Sequence, residues 1–144
     1  MKIIHIKIDK SNIFADVGLS SAYIQAKEDA AKNRIATMEQ DEALLKRLWS
    51  ETCGEVNEKL RTFITASEIS DEEISLTLEL SGSYEDAQTP TVISDIKAAL
   101  VAGITARWFR YTYPDRSVEW SSESSRLLDR AFSHLCHRKK PVRL

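Results

Sequence analysis

Glycine and proline are scarce in this chain of 144 residues, with four and three copies. Because these residues punctuate turns and loops, their scarcity predicts few long irregular segments. Cysteine is rarer still, since Cys53 and Cys136 are the only two and cannot build a disulfide framework. Both lie in predicted helices, where small buried thiols are common. We therefore expect a reducing, intracellular environment.

An excess of charge of one sign is also missing. The 20 basic and 22 acidic residues leave a net charge of -2, which argues against a general nucleic-acid-binding protein. No run approaches the roughly 18–20 apolar residues of a membrane span. The nearest, residues 89–113, is interrupted by Asp95, Lys97, Arg107 and Arg110. The first residues alternate instead of forming the apolar run of a signal peptide, so we expect no membrane association.

The composition that is present fits one soluble domain. Apolar residues make up 42% and charged residues 29%, and the length lies within the range of about 100–150 residues where single domains are commonest. We expect a single domain over residues 1–144. Within it, residues 1–36 hold an N-terminal strand and a short helix, and residues 138–144 form a basic C-terminal tail.

The clearest helical signal covers residues 89–113. Thr89 can serve as an N-cap, Pro90 suits a first helical turn, and Pro114 disfavours continuation. Apolar residues recur at helical spacing between these limits, and small residues occupy much of the remaining surface. A helix of this composition is typically buried on several sides.

Two further long helices are predicted over residues 41–64 and 117–137, and a short fourth helix over residues 20–35. Period-2 alternation predicts strands over residues 3–8 and 74–80. The expected fold is mainly α, with three long helices, the short fourth helix and a small two-stranded β element. Two strands alone are marginal in water. The sequence leaves open whether they pair within the chain or extend the sheet of a neighbouring chain.

Residue types that could carry catalysis do not converge on a recognisable motif. His134, Cys136 and His137 lie close in sequence, but Cys136 would point away from the two histidines on a helix. The serines of residues 121–125 lack a nucleophile elbow and are expected on the polar face of the last helix. We expect no enzymatic activity, no cofactor and no metal; a small enzyme or metal protein built around His134, Cys136 and His137 is the remaining alternative.

The basic tail is the first candidate for partner binding. Its cationic residues are Arg138, Lys139, Lys140 and Arg143. They could dock on an acidic protein surface, such as the acidic segment of residues 68–73 in another copy. They could also contact phosphates of a nucleic acid, with salt-sensitive affinity. The acidic overall balance favours protein docking.

A cluster of aromatic side chains is the second candidate. It consists of Trp108, Phe109, Tyr111, Tyr113 and Trp120. Such a cluster most often closes the core at a helix hairpin. Aromatic and arginine residues are also enriched at interface cores, so a role facing a partner stays open for at least one of the five.

The order of these parts resembles a known class of protein. A helix with Leu-Leu-Lys-Arg-Leu-Trp at residues 44–49 leads to a strand-bearing segment. An alanine-rich helix with Ile-Lys-Ala-Ala-Leu-Val-Ala-Gly at residues 96–103 follows, and a last helix with Arg-Leu-Leu at residues 126–128 closes into a basic end. This layout resembles the small helical head–tail connector (adaptor) proteins of tailed bacteriophages and prophages. The resemblance covers residues 41–143.

That resemblance implies a non-enzymatic structural subunit, which self-associates into a ring and contacts other phage structural proteins. It also implies location in the cytoplasm of a bacterial host or in a virion. The alternative is a small helical protein that associates with nucleic acid through its basic tail.

Overall fold

The computed structural model describes residues 1–27, 42–112 and 114–138, with side chains for residues 1–18, 43–110 and 114–138. Within these ranges the chain is mostly helical, with four α-helices and one three-stranded antiparallel sheet. In chain order the elements are β1 (Lys2–Asp9), α1 (Lys10–Lys27), α2 (Glu42–Lys59), β2 (Ile64–Ile69), β3 (Glu73–Leu80), α3 (Thr89–Thr112) and α4 (Pro114–Leu135). The mainly helical prediction is confirmed, whereas the two-stranded element is corrected to three strands.

The additional strand, β2, replaces the end of a predicted helix. The helix expected over residues 41–64 ends at Lys59, and Ile64 begins β2. The β2 sequence has no apolar alternation, because its residues 65–69 are exposed on both faces. The strand forms through backbone pairing with β3, and Ser70 shapes the intervening turn by accepting the N–H groups of Glu72 and Glu73 on its hydroxyl.

The N-terminal helix begins earlier than predicted. Instead of starting near residue 20, α1 begins at Lys10, directly after β1. Ile13 and Val17, one helical turn apart, are buried against the core and explain this start. The helix is described as far as Lys27, and residues 28–35 of the predicted helix lie outside the described residues.

The two predicted strands pair with each other inside one chain. The sheet order is β1-β3-β2, and β1 runs antiparallel to β3 from Lys2 opposite Leu80 to Asp9 opposite Glu73. One sheet face is apolar and is covered by the helices. Its buried side chains are Ile6, Ile8, Ile74, Leu76, Leu78 and Leu80. Apart from Ile3, the other face carries mainly polar side chains, as the alternation predicts.

Helix α3 is central and contacts α1, α2 and α4. Its partner α4 begins at Pro114, three residues before the predicted start, because proline suits the first turn of a helix. Most of the apolar residues of α4 lie on its inward face. Leu127, Leu128, Ala131 and Leu135 are buried, and Trp120 and Phe132 are half-buried against the core.

Small residues bring α3 and α4 close together. The Ser124 hydroxyl donates to the Ala99 carbonyl at 3.0 Å, and the Ser117 hydroxyl donates to the Ala106 carbonyl at 2.9 Å. Ser124 is therefore buried, which corrects its expected place on the polar face of the helix. Both bonds join residues seven apart on each helix, so together they fix the register of the hairpin.

Candidate assembly interface

The backbone hydrogen bonds of the sheet show which residues of β1 and β2 direct their N–H and C=O groups away from β3. Lys10 N–H donates to the Glu72 carbonyl at 2.8 Å, and Ser70 N–H donates to the Glu73 carbonyl at 2.9 Å. In an antiparallel ladder, inward residues, whose N–H and C=O groups bond to the neighbouring strand, alternate with outward residues, whose groups point away from it. The outward residues are Ile3, His5, Lys7 and Asp9 on β1, and Ser67 and Ile69 on β2. Within the described residues, no strand pairs with either outer edge.

The β2 edge is unusual because the strand is exposed on both faces. Ser67 and Ile69 lie on the same face as the buried β3 side chains, yet both are exposed, and Ile69 retains 38% of its surface. The strand therefore extends past the helices that cover β3. Between Ile64 and Ile69 it has no lysine or proline, the residues that commonly protect an edge from pairing.

The β1 edge carries exposed apolar groups together with basic ones. Met1 is 89% exposed and Ile3 is 60% exposed. Lys7 is well exposed and pairs with Glu73 at 3.2 Å, and Lys2 pairs with Asp86 at 2.9 Å. Exposed ion pairs of this kind contribute little stability, so an incoming strand can compete with them.

A groove lies at the acidic turn between β2 and β3. Its volume is about 500 Å³, and Phe14 and Leu45 form an apolar floor. The rim is polar and consists of Asp9, Lys10, Ser11, Asp71, Glu72 and Glu73. Lys46 reaches Asp71 at 3.7 Å, so the acidic charge of this turn is partly compensated within the chain.

The described start of the basic tail lies at the opposite end of the sheet. The His137 Nε2 atom is 2.9 Å from the Glu85 carboxylate, and Arg138 forms an isolated antiparallel bridge with Tyr84. The acidic turn adjoins Glu73, at the far end of the eight-residue strand β3, about 24 Å away. The other predicted tail residues, Lys139, Lys140 and Arg143, lie outside the described residues.

The predicted aromatic cluster is divided by the fold. Phe109 is fully buried and Trp108 is 7% exposed, so both serve the core of this chain. Trp120 is half-buried and packs against the core. The side chain of Tyr111 and the whole of Tyr113 lie outside the described residues. Among the described members, Trp120 has the most surface to offer a partner.

The histidines near the end of α4 do not converge. His134 lies 3.8 Å from the buried Asp95 carboxylate, whereas His137 contacts Glu85. Over the ranges for which side chains are described, no group of three or more histidine, cysteine, aspartate or glutamate residues could hold a metal ion. Burial raises the pKa of the Cys53 thiol to about 12, so this cysteine is a neutral core residue.

Charged groups inside the helical layer are engaged with each other. Arg130 donates through Nε to both Asp95 carboxylate oxygens at 3.1 Å, which raises the pKa of the guanidinium. Arg107 donates to Glu55 at 2.6 Å and to the Gly103 carbonyl at 3.2 Å. Sequence reasoning missed both clusters, because their partners are 35 and 52 residues apart.

Comparisons with protein families, curated proteins and solved structures found no match for this chain. None of the helices in the described part of the chain is both long enough and apolar enough to cross a membrane. The candidate interface therefore depends on the geometry of the sheet and on the distribution of charge.

Proposed function

We propose that this chain is a non-enzymatic structural subunit that acts by self-association, of the head–tail connector type found in tailed phages and prophages. The observation that carries the proposal is the pair of open, unlike edges on one sheet, β1 and β2. An exposed edge offers unpaired N–H and C=O groups to a strand of another chain. The layout of α2, α3 and α4 supports the connector assignment through the resemblance described above.

The helical layer suits a scaffold role. The hydroxyl bonds between α3 and α4 and the ion pairs Asp95–Arg130 and Glu55–Arg107 stabilise one arrangement of the helices. A preorganised body loses little conformational freedom when it docks, which favours assembly. Other phage structural proteins would bind the completed ring, first in the bacterial cytoplasm and then in the virion.

The basic tail supports contact between copies. The cations of the tail lie within five residues of Arg138, which span at most about 18 Å, whereas the tail starts about 24 Å from the acidic turn of its own chain. Lys139, Lys140 and Arg143 of one copy would therefore reach the acidic turn of a neighbour more readily than their own. Charge complementarity of this kind contributes specificity and register more than raw affinity.

The nucleic-acid alternative has less support. A phosphate-binding helix presents a stripe of free cations, but α4 pairs Arg126 with Glu123 and Arg130 with Asp95. These two arginines of α4 are therefore engaged within the chain, and the proposed phosphate contacts are those of the tail.

The proposal is tested by light scattering coupled to size exclusion, at low and high salt and over a range of protein concentrations. We expect a defined oligomer whose mass falls as salt rises, because salt screens charge pairs between copies. Deletion of residues 139–144 should weaken this oligomer and leave helicity unchanged, since it preserves the His137–Glu85 contact. A monomer under all these conditions would refute self-association.

A further inference from the structure

The open edges of β1 and β2 carry different charges, and this difference favours particular pairings between copies of the chain. On the solvent-facing side of the sheet, Lys7 of β1 and Glu68 of β2 lie on either side of Ser75 in β3. Glu68 is exposed and has no ion-pair partner among the described residues. One edge therefore presents a cation and the other a carboxylate, on the same face and at the same level of the sheet.

These charges favour the pairing of unlike edges. Contact between two β1 edges can set Lys7 opposite Asp9, but it leaves Glu68 of β2 without a cation. Contact between two β2 edges brings two copies of Glu68 close to each other. Like charges on directly opposed strands are destabilising, whereas opposite charges contribute favourably. Contact between β1 and β2 is the arrangement that places Lys7 beside Glu68.

We infer that the β1 edge of one copy pairs with the β2 edge of a second copy, in a head-to-tail contact that continues the sheet. This inference rests on the proposed function and specifies its partner surface. Both strands run antiparallel to β3, so they share one direction. Copies in the same orientation therefore join through a parallel pair. A contact between unlike surfaces repeats from copy to copy and closes into a ring where the rotation allows.

The apolar side chains fit the same contact. Ile69, which is 38% exposed, lies on the helix-facing side of β2, and Ile8 lies on the helix-facing side of β1. In a parallel pair that places Lys7 beside Glu68, Ile69 lies beside Ile8, so part of its exposed surface is covered. The outward N–H and C=O groups of Ser67 and Ile69 then meet those of the neighbouring β1 strand.

The decisive experiment uses two charge-reversal variants, K7E and E68K, alone and mixed. Each variant alone places like charges across the contact, so we expect its association to weaken by roughly fivefold, within the range for cross-strand charge pairs. An equimolar mixture restores opposite charges at every contact, so we expect assembly to return with alternating copies. Both positions are exposed, and circular dichroism of each variant checks that the fold is intact.

A second pair of variants tests the backbone. Ser67→Pro removes an N–H that points away from β3, while Ser67→Ala keeps it and removes the same hydroxyl. We expect Ser67→Pro to weaken assembly and Ser67→Ala to leave it unchanged. If the wild-type chain assembles and both the charge variants and Ser67→Pro assemble equally well, the edge contact is wrong and the proposed function stands. A monomeric wild-type chain overturns both.

Discussion

Gly103 of α3 faces side chains of both α2 and α4, and its replacement by alanine should destabilise the fold. A Cβ atom at this position would stand 2.9 Å from the Thr52 Cγ2 atom and 3.2 Å from the Ser124 hydroxyl oxygen. Neither neighbour is free to rotate away. Thr52 is buried and donates to the Leu48 carbonyl at 2.7 Å, and Ser124 donates to the Ala99 carbonyl at 3.0 Å.

Two opposing contributions set the magnitude. Overpacking of a close-packed interior costs about 1–3 kcal/mol. Alanine in place of glycine within a helix returns about 1 kcal/mol through its higher helix propensity. The net change for Gly103→Ala is therefore a loss of about 0–2 kcal/mol in the free energy of unfolding, measured by urea denaturation.

The chain provides a matched control in α2. A Cβ atom at Gly54 would meet nothing within 4 Å. The same substitution there should raise the free energy of unfolding by about 0.5–1 kcal/mol, because only the propensity changes. Adding Thr52→Ser, which removes the clashing methyl group and keeps the hydroxyl, should recover much of the loss caused by Gly103→Ala. Equal stabilisation by Gly103→Ala and Gly54→Ala would refute this account of close packing.

Three further predictions concern the buried Cys53 thiol and the buried Asp95 carboxylate. A disulfide reagent should modify exposed Cys136 in the native protein and buried Cys53 only after unfolding; rapid modification of both would contradict the packing of α2. Burial raises the pKa of Cys53 to about 12, whereas a thiol in the unfolded chain has a pKa of about 8.5. The unfolded chain loses the thiol proton first, so the free energy of unfolding falls as pH rises from about 8.5 towards 12. Cys53→Ala should lose less stability over this pH range. Asp95→Asn removes the carboxylate that Arg130 binds and should lower the free energy of unfolding, measured by thermal or urea denaturation, by about 1–2 kcal/mol. Glu123→Gln, which affects an exposed ion pair, should lower it by less.

Periodic segments of the chain were predictable from sequence, and contacts between distant segments were not. The alternation around Ile6 and Leu76 predicted β1 and β3, and the apolar spacing of residues 89–113 predicted α3. The β2 strand escaped prediction because its side chains bury almost nothing, so its sequence carries no alternation to read. Its signals were the β-branched pair Ile64 and Thr65 and the Ser-Asp turn that follows.

The polar interior was hidden for a different reason. From the sequence alone, Ser124 is expected on the surface and Asp95 interrupts an apolar helix. Their partners, the Ala99 carbonyl and Arg130, are known only from the fold. Only the small residues at heptad-like spacing, such as Ala99 and Ala106, indicated a close helix neighbour. The roles assigned to the basic tail and to the connector assembly stay predictions.

The pairing of β1 with β3 also sets an order of events during synthesis. Ile6 emerges from the ribosome seventy residues before Leu76, its partner across the sheet. At a synthesis rate of about 5–20 residues per second, β3 is made roughly 4–14 s after β1. By contrast, β2 and β3 are joined by a short turn and can pair almost at once. In the nascent hairpin of β2 and β3, the edge of β3 that pairs with β1 is open to other strands. The β1 strand of another chain translated from the same message can therefore compete with the chain's own β1 for this edge.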